Sequence, residues 1–467
     1  MACALLAPFV VEGKIPLNAD FALVRFEPWW RQHRGLVAQN AELDDPQMYL
    51  YPIRELSAAM LKRGIVPLWN PYILCGAPLL ADSVSLPFDP FGLLALALPF
   101  PVAWGGMILA QLLVTGWSMY ALLRYYGCSR AAGVLAGATL MLCATFTVWL
   151  EYISWIGTFC WAPLCLLCLD VGVRRDRTLP FAGAAVLMAF TLLGGLLQLA
   201  AYFWAMMGFY ALCQIVAVHW AGGERGGLVR SLLRLGFAYG LALLLGSAQL
   251  LPTVELARLT YRAPMRYLLA NHLSPAELLT YVAPNVFGHP AWHDQFYHHL
   301  GIGGHLWRHG GYVGILPLAL ALFAAARRWR EARVAAHVAM GFGTVVFLVL
   351  MSIEPLKRLF VSVFPPFGGV HAKRQIVIYG VSAAVLAGFG LDALVAATAR
   401  ARRRLALGVA VAAGVGLAAA AAVSWWAASG DALPGWLAAW QERSPWDVPG
   451  LYRGAWPPLL LLGLTWA

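Results

Sequence analysis

Residues Val102–Arg124 read VAWGGMILAQLLVTGWSMYALLR, and this run decides the fold. No charge interrupts it before Arg124, and as a helix it reaches about 35 Å, enough for the ~30 Å hydrocarbon core of a bilayer. Comparable apolar runs fall near 131–150, 154–173, 179–194, 196–218, 230–252, 311–326, 334–352, 375–397 and 405–427. Two shorter runs stand at the ends, Met1–Val11, which spans only about 16 Å as a helix, and one that begins near Trp456. The expectation is an all-α polytopic membrane protein of about twelve transmembrane helices, the first and last partial. With no basic leader region and no small-x-small cleavage site, Met1–Val11 does not read as a signal peptide. The sequence is therefore read as a fragment, or as one with a misplaced start. Three regions follow: 1–101 with a partial helix and a large first loop, 102–427 as the helix bundle, and 428–467 as a loop and truncated helix. No period of 20 to 50 residues repeats along the chain.

Composition agrees with this class. Only 12% of residues are charged, 61% are hydrophobic and the mean hydropathy is +0.69, whereas soluble domains carry about a quarter charged residues. The net charge of +11 does not indicate a nucleic-acid partner, because the basic residues sit in short clusters between apolar runs. Alternating the spans gathers 16 arginines, among them Arg124, Arg174, Arg175, Arg327, Arg328 and Arg333, in one set of short loops that holds only Asp176, Glu224 and Glu331 as acids. Positive-inside places those loops in the cytoplasm and the long connections, including 253–310, 353–374 and 428–454, outside. Of eight cysteines, most lie within apolar spans, where a thiol acts as a small hydrophobe. Cys165 and Cys168 form an isolated CxxC, so neither metal nor redox use is expected of them.

The polar invention of the chain lies in Asp44–Pro90, DDPQMYLYPIRELSAAMLKRGIVPLWNPYILCGAPLLADSVSLPFDP. Leu56–Lys62 reads as a short amphipathic helix ended by Gly64 and Pro67. Leu86–Phe100, apolar but interrupted by prolines and an acid, suits an interfacial or re-entrant piece. Asp44 and Asp45 fit a general base, a divalent-cation ligand or solvated loop acids, and Asp45 before Pro46 also fits a helix N-cap. Tyr49, Tyr51 and Trp69 offer flat faces while Asn70 and Asp82 offer hydrogen-bonding groups, the mixture that sugar binding uses. Arg54, Arg262, Arg266, Lys373 and Arg374 fall on the same side as the acids; they suit the phosphate of an anionic lipid, against the alternative of snorkelling to headgroups. The histidines from His289 to His309 do not make a metal site, because Pro290 and several glycines break any helix that would align them. Glu151 and Glu255 at outer helix ends, and Asp170 and Asp392 near inner ends, read as interface charges.

Several segments resemble the YfhO family of bacterial membrane proteins, whose members are similar to GT-C glycosyltransferases. They are PLNADFALVRFEPWW, LDDPQMYLYPIR, GIVPLWNPYILCGAPLLAD, AQLLPTVELARLTYR, LSPAELLTYVAPNVFG, GGYVGILPLALAL and AKRQIVIYGVSAAVLAGFGLDAL. These occur in family order and cover residues from about 15 to 394. The resemblance implies an inverting enzyme that moves a sugar from a polyprenyl-phosphate carrier to an envelope glycan or polymer on the extracytoplasmic face of the bacterial cytoplasmic membrane. It implies Asp45 as general base, in the spacing D-x(6)-P before Pro52, with Asp44 and Asp20 as supporting acids and Arg54, Arg262 and Arg374 near the phosphate. The sequence departs from the family at GIGGHLWRH, which stands before GGYVG where the family often has a polar or acidic segment, and at His371-Ala372-Lys373-Arg374, which keeps only Arg374 of an RxPxR pattern. No cofactor is expected: a divalent cation is compatible with the paired acids, but arginine and lysine suffice for a monophosphate donor. The rival readings are a transporter or flippase of lipid-linked sugars, which favours inverted repeats and mid-membrane sites, and a membrane scaffold without chemistry.

Overall fold

The computed structural model describes residues 1–38, 43–220, 223–259, 273, 275–285, 310–363, 372–403, 406–408, 410–411 and 414. Nine of the ten apolar runs expected between 102 and 427 are helical. In order they are Phe100–Tyr125, Arg130–Leu142 extended by Ala144–Val148, Ser154–Phe159 extended by Ala162–Arg174, Thr178–Leu193, Leu197–Ile215, Arg225–Leu259, Ile315–Arg328, Ala332–Leu350 and Ile376–Val395. The run 405–427 and the region 428–467 lie almost wholly outside the described residues. Among the described residues seven helices are long and apolar enough to cross a membrane. Thr178–Leu193 and Ile315–Arg328, at 16 and 14 residues, fall below the ~17 that a span needs.

The bundle is organised around Ile376–Val395, whose apolar stretch is 83% buried. Three helices pack on it, Ile315–Arg328, Ala332–Leu350 and Arg130–Leu142. Small residues permit this closeness, since apolar helices in lipid associate through backbone approach and packing. A side chain at Gly390 would meet the Leu320 carbonyl at 2.0 Å, and one at Gly137 would meet the Gly116 carbonyl at 2.9 Å. Trp104, Trp155, Phe159, Phe203 and Tyr379 fill the interior between helices.

Residues before Phe100 form a cap on the bundle. Ala2–Leu5 and Ala7–Glu12 are short helices laid against Phe100–Tyr125, where Phe9 covers Gly105. The amphipathic helix begins earlier than expected, at Tyr51 rather than Leu56, and follows a π-helical turn at Pro46–Leu50. Pro46 and Pro52 each occupy a first turn, where the missing N–H costs nothing. Leu86–Phe100 is split as its prolines foretell, into a 3-10 turn at Phe91–Leu93 and the helix Leu94–Ala97. PLWNPY and CGAP meet in a two-stranded antiparallel pair with Trp69 opposite Pro78 and Asn70 opposite Ala77. Gly76, at φ +109, lets the Trp69 indole lie on the turn; a Cβ there would come within 2.6 Å of the ring. Gln249 ties this cap to the Arg225–Leu259 helix by donating to the Leu80 carbonyl at 2.7 Å.

Candidate functional site

Asp45 stands at the N-cap position of the Pro46–Leu50 turn, yet its side chain makes no capping bond. Its carboxylate instead accepts the Tyr152 hydroxyl at 3.4 Å. Asp45 lies exposed at the rim. The protein packed on one side of it and the adjacent Asp44 raise its pKa above the usual carboxylate range, while the Tyr152 hydroxyl and the Arg374 charge pull it down. Asp20 opens the helix Asp20–Arg25. The Gln47 side chain straps that helix to the Asp45 turn, accepting from Ala22 N at 3.3 Å and donating to Ala19 O at 3.2 Å.

The basic residues divide into different roles. Arg374 remains by the acids: its Nη1 donates to Gln198 Oε1 at 3.0 Å, and its charge is felt by Asp45, Tyr152 and Tyr202. Arg54, expected near a phosphate, is instead 3% exposed. Its Nε donates to Val84 O at 2.9 Å, both terminal nitrogens reach Tyr152 O at 3.3–3.4 Å, and Nη2 donates to Ser154 Oγ at 2.6 Å. Lys373, also expected at the phosphate, is buried with its Nζ 2.7 Å from Glu277 Oε1. In both cases the fold supplies protein partners to a cation whose sequence context showed none. Arg262 and Arg266 lie outside the described residues, as do the histidines from His289 to His309.

The residues expected to hold sugar are likewise dispersed. Tyr49 donates its hydroxyl to Asp82 Oδ2, and Asp82 caps Ser83–Ser85 through its other oxygen. Tyr51 turns toward the bundle, its ring 4.9 Å from Phe100 and 5.1 Å from Trp104. Asn70 is buried and accepts Tyr72 N at 2.9 Å, an Asx turn that shapes the hairpin. Trp69 keeps an exposed face beside it. Only Tyr49 and Asp82 of this set form a polar pair.

Four residues that the sequence did not single out for a site join Asp45 and Arg374: Tyr152, Glu151, Gln198 and Tyr202. Gln198 Nε2 donates to the Tyr202 hydroxyl at 2.8 Å. Glu151 accepts Asn18 N at 2.9 Å; burial and the nearby Asp20 charge raise its pKa. The available signal was positional, since Glu151-Tyr152 is a polar pair in the brief connection between two apolar runs. Together the rim carries carboxylates able to accept a proton, a phenol that orients one of them, and a guanidinium able to meet an anion. Among the described residues no three or more His, Cys, Asp or Glu are gathered to hold a metal ion.

A second polar cluster sits at the other end of Ser154–Arg174. Asp170, read as an interface charge, is fully buried. Arg174 Nε reaches it at 3.0 Å, Arg333 grips both oxygens at 3.2 and 2.5 Å, and Tyr210 donates at 3.0 Å. The Tyr210 and Tyr126 hydroxyls are 2.5 Å apart, and Gln214 links Arg174 to Ala332 O. This network joins three helices and, through Tyr126, the end of a fourth, Phe100–Tyr125, so its role is to fix them.

The fold and the rim together define a helical protein with the spans of a membrane protein and a polar site at one end of the bundle. The chain matches no protein-family model, no curated protein and no solved structure.

Proposed function

We propose that the chain is a GT-C-type membrane glycosyltransferase, as its resemblance to the YfhO family implies. It takes a sugar from a polyprenyl-phosphate carrier and passes it to an envelope glycan or polymer, outside the bacterial cytoplasmic membrane. The observation that carries this reading is the pairing of Asp45 with Tyr152 beside Arg374. Burial and the adjacent Asp44 raise the proton affinity of Asp45, which makes it the better base, while Tyr152 and Arg374 pull the other way and orient it. Asp45 takes the acceptor hydroxyl proton as that oxygen attacks the anomeric carbon. The carbon–oxygen bond to the lipid phosphate breaks with its electron pair going to the phosphate, and Arg374 steadies the charge that develops there. A single displacement inverts the anomeric centre. Asp44 raises the basicity of Asp45, Asp20 completes the acidic rim, and Arg262 and Arg266 are further partners for the lipid phosphate. The full complement of about twelve helices belongs to the same reading.

The test is transfer of radiolabelled sugar from a polyprenyl-phosphate donor in membrane vesicles, comparing wild type with Asp45→Asn. Label reaching an envelope polymer in wild type alone supports the enzyme and its base. Equal transfer by both proteins removes Asp45 from the role, and label that crosses the bilayer chemically unchanged identifies a transporter.

A further inference from the structure

Ile153 is a fully buried β-branched residue at φ +56, ψ −51. Such a backbone lies near the strained γ-turn, which residues with a branched Cβ avoid. Conformations of this kind persist only where their surroundings overdetermine them. Here the surroundings are specific. The residue before Ile153 is Tyr152, whose hydroxyl meets Asp45, and the residue after it is Ser154. Arg54 bonds both flanks at once, the Tyr152 carbonyl at 3.3–3.4 Å and the Ser154 hydroxyl at 2.6 Å. It is itself anchored by Val84 O at 2.9 Å and lies 5.5 Å from the centre of the Trp104 ring. On the far flank the Tyr152 ring stands edge-on to Trp149 at 4.7 Å, and Trp149 stacks on Trp155 at 5.0 Å.

We infer that Arg54 is a positioning residue: it clamps the strained turn at Ile153 and thereby aims the Tyr152 hydroxyl at the Asp45 carboxylate. The guanidinium is suited to this because its planar fork bonds a carbonyl and a hydroxyl simultaneously, which a single ammonium does less well. When the clamp is lost, Ile153 relaxes toward an ordinary φ and the Tyr152 hydroxyl leaves Asp45. The catalytic meaning of that movement rests on the reading of Asp45 as the base. The movement itself does not, and is measurable without any activity.

The experiment follows labelling of Asp45 by a water-soluble carbodiimide and an amine nucleophile against pH. It uses the full chain in detergent with peptide mass spectrometry as readout, since carbodiimide activates the protonated carboxyl. The charged and titratable groups that face Asp45 are Asp44, Tyr152 and Arg374, and none of the three is substituted in the Arg54 variants. Tyr152→Phe removes a hydrogen bond to the charged carboxylate, so the labelling midpoint rises by about 0.5–1 pH unit. Arg54→Lys raises it by a similar amount, and the double variant shows no further rise. Ser154→Ala removes the shortest clamp bond while keeping the Arg54 guanidinium and its other partners; it gives a smaller rise in the same direction and serves if Arg54→Lys does not fold. A midpoint that moves in Tyr152→Phe but in neither clamp variant overturns the inference, as does one that moves in none. If the midpoints move as stated while wild type transfers no sugar, the clamp stands and the glycosyltransferase reading fails.

Discussion

Tyr152 and Asp45 are 107 residues apart in the chain, and the phenol of one donates to the carboxylate of the other at 3.4 Å. Neither residue is held there by its own local structure alone. Asp45 is carried by a proline-initiated turn, and Tyr152 by a connector between two spans. The contact ties the first loop to the bundle at the point where the chemistry is proposed.

Replacing Tyr152 by Phe keeps the ring on Trp149 and removes only the hydroxyl. Transfer is expected to fall about tenfold, the equivalent of ~1.4 kcal/mol. The acid limb of the pH–rate profile should also move to higher pH, because the bond favours the charged carboxylate. A steady-state pH series on Tyr152→Phe checks both, and an unchanged profile would remove the phenol from the mechanism.

Asp170→Asn leaves Arg174 and Arg333 converging on a neutral group in the buried end of the bundle. Breaking a buried charge network from one side costs about 3–5 kcal/mol. Tyr210→Phe, which removes one hydrogen bond from the same carboxylate, should cost only about 1 kcal/mol. Thermal melting in detergent ranks the two, and equal losses would mean that Asp170 is not the centre of the network.

The buried pair Lys373 and Glu277 is read as structural rather than as part of the anion site. Lys373→Met or Glu277→Leu alone should therefore destabilise by about 3–5 kcal/mol, while the double change recovers most of that loss. The same melts decide: a double variant no more stable than either single one contradicts a mutual pair.

Asp89 gives the protein a pH dependence of defined sign. It is 2% exposed, and burial pushes its pKa up to about 7 against the pull of Gly92 N–H and the Arg54 charge. In the unfolded chain it titrates near 4. Between about pH 4 and 7 the native state therefore holds a proton that the unfolded state has lost, and stability falls as pH rises. Arg54, lowered by burial to about 9, is charged in both states across that window and adds no slope. Melting temperature should drop from pH 5 to pH 8 in wild type and much less in Asp89→Asn; parallel curves would show that Asp89 is not the source.

Much of the fold was legible because a membrane span is a local property: a run of apolar residues states its own helix. Thus Val102–Arg124 and its counterparts appear where their composition puts them, within a few residues. The start of the amphipathic helix was less legible, placed at Leu56 rather than Tyr51, since proline breaks a helix interior but suits a first turn, and only the three-dimensional path tells the two apart at Pro52. Asp44 and Asp45 were visible as an unusual pair in a chain of which only 12% is charged. Arg54 and Lys373 were visible as cations but not as satisfied ones, because a charge in a sequence carries no record of what will neutralise it.

The sequence by itself determined that the chain is helical, apolar enough to lie in a membrane, and polar mainly between its spans, because these follow from residue composition over stretches shorter than a helix. The tertiary structure alone decided which polar residues meet. It turned Arg54 inward to a strained turn and paired Lys373 with Glu277, and it brought Tyr152 to Asp45 with the Arg374 charge in reach. Hydrogen bonds and ion pairs act over a few ångströms, and which groups come that close depends on how distant helices pack.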